Sequence, residues 1–202
     1  MTRLSRRFYS RDAATLARAL LGRRLVRVLD DGTRLAGRIV ETEAYLGVRD
    51  RAAHSYGGRR TPRNAAMWGP AGHAYIYFVY GLHHCMNVVA QHVGRPEAVL
   101  IRALEPLEGL ERMRVHRAGK VPAERLRDTD LCSGPAKLAQ ALALDRALDR
   151  ADLVAGHVLF LERGVPVRRA CIIAGPRIGV SYAGEWAEEP LRFHVAGNAH
   201  VS

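Results

Sequence analysis

Two β-rich runs, residues 24–29 and 33–46, flank Asp30-Asp31-Gly32, and this pairing limits the fold more than any other feature of the chain. A turn signal of that kind between two strand patterns predicts an antiparallel hairpin. The second run contains Arg38-Ile-Val-Glu-Thr-Glu-Ala-Tyr-Leu-Gly47. Alternation sends Val40, Thr42, Ala44 and Leu46 to one face and Glu41, Glu43 and Tyr45 to the other. The first set reads as core. The second reads either as a half-exposed strand face with solvated acids, or as a rigid site with carboxylate chemistry at one end and an aromatic ring at the other.

Other elements follow from local pattern. Ser10 is expected to cap a helix with Ala13, Leu16, Ala17, Leu20 and Leu21 on its apolar face, ended by Gly22. Residues 47–72 lack periodicity and read as a long ordered loop, a length that in compact domains is usually functional. Ala74 to Val79 and Cys85 to Ala90 form a second predicted hairpin around Gly81, and residues 98–103 a further strand. Helices are expected over 107–117 and from Pro135, with proline at the first helical position. Short strands over 158–161 and 167–173 precede a tail punctuated by glycine and proline. Strands come first and helices follow irregularly, which predicts an α+β architecture rather than a βαβ winding, and no phosphate-binding glycine motif is present.

The 202 residues suit a single domain, 1–202. Three scattered cysteines give neither a disulfide framework nor a zinc clamp and point to a reducing, cytoplasmic setting. The basic N-terminus lacks a signal-peptide core, and the longest apolar-aromatic run is too short to span a bilayer, so no membrane association is expected. A formal charge of +11 and a pI near 10.4 are the footprint of a polyanion binder, nucleic acid first. Within residues 1–29 arginines stand at 3, 6, 7, 11, 18, 23, 24 and 27 against one acid, Asp12, in the segment before the predicted turn.

The remaining chemistry-bearing residues carry competing readings. Tyr75 and Tyr77 leave the hairpin on one side and Tyr80 on the other, beside Gly81. An aromatic at a turn tip can stack on bases or wedge between them, or fold back over the core. Asn87, an amide in an apolar strand, must be hydrogen-bonded, to a turn or to a ligand edge. His73, His83, His84 and Cys85 lack metal-ligand spacing, so no metal is expected. Two carboxylates two residues apart also admit a glycoside hydrolase. A non-catalytic basic nucleic-acid-binding module is the other alternative.

Several long motifs, in order along the chain, then narrow the field. They are Arg38 to Gly47, Ala53-His-Ser55, Thr61-Pro-Arg-Asn64, Tyr75-x-Tyr77-x-x-Tyr80-Gly81, Cys85-Met-Asn87, Arg102-Ala-Leu-Glu-Pro-Leu-Glu-Gly109, Leu131-Cys-Ser-Gly-Pro-x-Lys137 and Ala183-Gly-Glu-Trp186. Together they resemble the alkyladenine, or 3-methyladenine, DNA glycosylase family. The resemblance implies one mixed α/β domain with a curved, mainly antiparallel sheet and a protruding β-hairpin, acting on damaged double-stranded DNA as a monomer without cofactor. It implies hydrolysis of the N-glycosidic bond of alkylated or deaminated purines, leaving an abasic site. It assigns Glu43 as the catalytic carboxylate, with Arg102 beside it holding the attacking water. Tyr45, His54 and Tyr77 would sandwich the extruded base, Tyr80 would fill its place in the duplex, and Asn87 would reject the guanine amino group. Lys137, near a helix N-terminus that favours anions, and more weakly Arg59 and Thr61, would hold phosphates. The sequence departs from the family pattern at His83 and His84, where aromatics are expected, and at Tyr56, where a basic residue is. Glu41 receives no role.

Overall fold

A computed structural model describes residues 2–79, 81 and 83–202. Among these residues eight strands form one sheet: β1 (Arg24–Val28), β2 (Arg34–Tyr45), β3 (Ala74–Val79), β4 (His83–Val89), β5 (Ala98–Glu108), β6 (Leu159–Glu162), β7 (Ile172–Gly175) and β8 (Arg192–Val195). The main order is β3-β4-β5-β2-β1-β6, with β8 also on β2 and β7 on β8. Every pairing is antiparallel, and the sheet curls into a half-barrel. Among the described residues five α-helices, α1 (Arg6–Tyr9), α2 (Ala13–Leu20), α3 (Leu110–Arg117), α4 (Asp128–Leu131) and α5 (Pro135–Ala141), complete the expected α+β fold.

Register explains how one sheet serves two purposes. Ala44, Val99, Val88 and Ala74 lie in one row across β2, β5, β4 and β3 and belong to the main core, with Leu16, Leu20, Met113 and Leu138 from the helices. Thr42, on the same face, donates its hydroxyl to Ala17 O of α2 at 3.1 Å. The adjacent row, Glu43, Leu100, Asn87 and Tyr75, points the other way. Core and site are thus the two faces of the same four strands.

The faces change phase partway along β2 and β5. Ile39 pairs with Leu104, Glu41 with Ala103 and Thr42 with Ile101, so Val40 is an extra residue in β2 and Arg102 an extra residue in β5. Leu35 and Ile39 face the core before the bulge, whereas Thr42 and Ala44 face it afterwards. The alternation read from the sequence therefore holds from Glu41 to Tyr45 and breaks at Val40. Bulges of this kind re-aim side chains, and here the re-aimed side chain is that of Arg102.

Several predicted boundaries are corrected. Asp12, not Ser10, caps α2, its carboxylate accepting the Thr15 N–H at 2.8 Å; Ser10 instead closes α1, a helix that the sequence pattern left out. Residues 107 and 108 extend β5 rather than opening a helix. Gly109 makes the break: it sits at φ +76°, and a Cβ there would lie 2.4 Å from Leu35 Cδ2. β4 begins at His83, two residues before the expected Cys85. β7 is shifted toward Gly175, and the tail contributes β8, because its pairing with β2 is long-range and leaves no local signal.

Candidate active site

The re-aimed Arg102 meets two buried carboxylates. Its Nε donates to Glu41 Oε1 at 3.2 Å, and its Nη1 lies 3.3 Å from Glu43 Oε1. Glu41 also accepts from Arg192 Nε at 2.5 Å and from Ser202 N at 2.8 Å. Both acids are wholly buried, yet their partners differ. Burial pulls the Glu41 carboxyl upward, but hydrogen bonds from Ser202 and Arg192 and the charge of Arg102 bring it below its ordinary value. For Glu43 burial prevails over Arg102, the Ile178 N–H and the Tyr45 hydroxyl, and its pKa is raised.

Glu43 is the acid that opens onto a cavity. Its Oε1 accepts the Ile178 N–H at 2.8 Å, and its Oε2 accepts the Tyr45 hydroxyl at 2.9 Å. A carboxylate offers about four acceptor positions, so Oε2 keeps capacity toward the cavity. The cavity is about 530 Å³, within the ~300–1,000 Å³ range of small-molecule sites. Its walls include Glu43, Tyr45, His54, Tyr75, Tyr77, Asn87 and Arg102, with Pro135 and residues 178–180 at other sides.

The aromatic wall is ordered by mutual contacts. His54 Nδ1 lies 2.7 Å from Tyr75 Oη, and the His54 ring meets Tyr77 edge to face at 4.6 Å. Burial, with the charges of Arg63 and Arg59, lowers the His54 pKa to about 4, so the ring is neutral near pH 7. Desolvation raises Tyr75 and Tyr77 above their ordinary range, keeping the phenols protonated. Asn87 donates Nδ2 to Tyr75 O at 3.2 Å, which leaves its carbonyl oxygen on the amide's other side.

Behind Tyr45 stands a buried support. Arg177 grips Asp50 through two bonds, Nη1 to Oδ2 at 2.6 Å and Nη2 to Oδ1 at 2.9 Å, while its Cζ sits 4.8 Å from the Tyr45 ring centroid. It also donates to Ala44 O and Trp186 O, and Asp50 accepts from Leu46 N and Ala52 N. A second support, Asn64, fixes the 54–64 loop: its Oδ1 accepts Thr61 N at 2.8 Å, and its Nδ2 donates to His54 O and Arg59 O, each at 2.9 Å.

The residues singled out in the sequence thus divide. Glu43, Arg102, Tyr45, His54, Tyr77 and Asn87 converge on the cavity. Arg59 and Thr61 line an adjoining cleft of about 280 Å³ that shares Ala52, His54, Arg63 and Tyr182 with it. Lys137 is exposed on the first turn of α5, its Nζ 3.3 Å from Ser133 Oγ. Tyr80 lies outside the described residues. His84 packs on Phe78 at 5.0 Å, and the Arg51 guanidinium sits 6.0 Å from the exposed Tyr56 ring. Among the described residues no group of three or more His, Cys, Asp and Glu side chains could hold a metal ion, and no helix is long and apolar enough to cross a membrane.

Sequence reasoning missed the Ile178 N–H, Arg177 and Asp50. The first is a backbone group, which side-chain identity cannot reveal. The other two are separated by 127 positions and have no local pattern.

Comparison with known proteins gives a consistent result. Residues 7–199 match the family model described as methylpurine-DNA glycosylase. The chain is 52% identical over 206 residues to DNA-3-methyladenine glycosylase of Homo sapiens, covering 100% of this chain and 68% of that protein. It is also 52% identical to the Mus musculus protein of the same name, of which it spans 61%. A relative from Clostridium acetobutylicum is 46% identical and covered over 97% of its length.

Proposed function

Since the chain belongs to the methylpurine-DNA glycosylase family, we propose that it excises alkylated or deaminated purines from double-stranded DNA by hydrolysing the N-glycosidic bond. The observation that carries this reading is a cavity-facing Glu43 held against Arg102 beside a wall of aromatic rings. A base within a duplex hides its glycosidic bond, so the nucleotide must be extruded into such a cavity, at a cost of a few kcal/mol that stacking offsets.

In this reading Tyr45, His54 and Tyr77 receive the base. Their neutral faces suit a purine made cationic by alkylation, since a ring quadrupole attracts a cation. Such a base leaves with its bonding electrons, and positive charge develops on the sugar. Ionised Glu43 stabilises that charge and takes a proton from the attacking water, which Arg102 helps hold. The water oxygen ends on the sugar carbon as hydroxyl, giving an abasic site and a free base. Asn87, on the same row as Glu43, screens the purine edge against a guanine amino group. Glu41 positions Arg102 and takes no part in the bond changes. Arg59, Thr61 and Lys137 contact phosphates, Tyr80 fills the vacated stack, and the protein acts as a cytoplasmic monomer of one domain.

Incubation with duplexes each carrying one defined lesion, scored for alkali-sensitive abasic sites, tests the proposal. Release of a damaged purine supports it. Binding to lesion DNA with no release would favour a non-catalytic module.

A further inference from the structure

The arginine-rich first segment is not all spent on the fold. Arg3, Arg6, Arg18, Arg24 and Arg27 have partners within it: Arg6, for example, pairs with Asp152 at 2.6 Å and Arg24 with Glu108 at 3.4 Å. Arg7 and Arg11 instead converge with Arg163 and His92 on a cleft of about 740 Å³ floored by Phe8, where Arg23 also stands, anchored by Nε to Ala19 O at 3.2 Å and Nη1 to Gly164 O at 3.4 Å. The Arg11 and Arg23 guanidinium carbons lie 4.7 and 5.4 Å from the Phe8 ring centroid.

Among the described residues no carboxylate pairs with any of these four arginines, and Asp12, the nearest acid in sequence, accepts the Thr15 N–H at the α2 cap. Burial, and then the adjacent charges of Arg11 and Arg163, hold the Arg23 guanidinium below its ordinary value, in keeping with like charges gathered with no carboxylate among them. Such a gathering opposes folding unless an anion relieves it. Phe8 orients the guanidinium planes of Arg11 and Arg23; Arg23 spends its Nε and Nη1 on backbone carbonyls, while the N–H edge of Arg11 is left for an outside acceptor.

The cleft belongs to the α1–α2 layer, which packs on the Thr42 and Ala44 face of the sheet, while Glu43 opens on the other face. We propose that it is a second polyanion site, which takes the phosphodiester backbone of a DNA duplex different from the one at the cavity. Several separated cations suit the repeated phosphates of a polymer better than one isolated anion.

Sedimentation with two short lesion-free duplexes, each carrying a different dye, tests this on the full chain. At low salt the native protein should carry both dyes in one complex. The variant Arg7→Ala/Arg11→Ala/Arg163→Ala should carry one, with second-duplex affinity reduced at least ~10-fold and its salt slope reduced by about 2.7, at about 0.9 per lost contact. The corresponding triple lysine variant, which keeps the charge, should retain both. Base release from a short lesion duplex should be unchanged in all three proteins. A native protein that carries one dye, or an alanine variant that carries both equally well, overturns the site. So does inorganic tripolyphosphate that binds the native protein but leaves the second duplex in place. Two-dye complexes without any base release would instead refute the proposed activity and leave this site standing.

Discussion

Arg177 and Asp50 form a two-pronged ion pair in which both side chains are wholly buried, directly behind the Tyr45 ring. The pair ties the 46–52 turn to the 177–186 segment, the two pieces of chain that close the cavity around Glu43.

Removing one partner leaves an uncompensated buried charge. Asp50→Asn or Arg177→Met should therefore destabilise the fold by about 3–5 kcal/mol, a fall in melting temperature of roughly 6–20 °C for a chain of this size. Thermal unfolding measures it. The double variant should recover part of the loss, which a merely additive effect would not.

Glu43→Gln keeps the hydrogen bond from the Ile178 N–H and the contact with Arg102 within reach but cannot take a proton from water. Single-turnover base release should drop by at least ~100-fold, the usual scale of general-base catalysis, while lesion-duplex affinity stays close to native. A normal rate in this variant would remove Glu43 from the mechanism.

The acid limb of the rate profile should report Glu43 above the ordinary carboxylate value, because burial outweighs its stabilising partners. Two variants should move that limb in opposite directions. Tyr45→Phe removes a hydrogen bond that favours the ionised form and should shift it to higher pH. Glu41→Gln removes a neighbouring negative charge and should shift it to lower pH, provided that Arg102 is still held by Ser202 Oγ at 3.1 Å. Shifts of the same sign would refute the electrostatic assignment.

His54 predicts a stability dependence of definite sign. Its pKa falls from 6.5 to about 4 on folding, so the unfolded chain binds more protons between those values. Its contribution is fully present above pH 6.5 and is lost as pH falls toward 4. The drop in urea midpoint between pH 7 and pH 5 should consequently be smaller in His54→Gln than in the native protein.

Local pattern carried much of this architecture. The Asp30-Asp31-Gly32 hairpin, the apolar face of α2 and the placement of Glu43 beside Tyr45 were legible because turn chemistry and side-chain period act over a few residues. The family motifs, not spacing, separated Glu43 from Glu41. What stayed hidden depends on distant pairing: β8 against β2, the Ile178 N–H on Glu43, and the Arg177–Asp50 pair. Glu41 likewise gained a meaning only once Arg102, Arg192 and Ser202 were seen around it.

The two compensating bulges make the site a joint property of two strands at the level of insertions and deletions. Loss of Val40 alone would set Arg102 opposite Thr42 on the core face and Ile101 opposite Glu43 on the cavity face. Loss of Arg102 alone would shift the ladder in the opposite sense. Only a paired deletion restores a regular register between Gly37 and Tyr45, so a descendant of this fold that discards the arginine without unravelling its sheet should carry two gaps in its sequence, one in each strand.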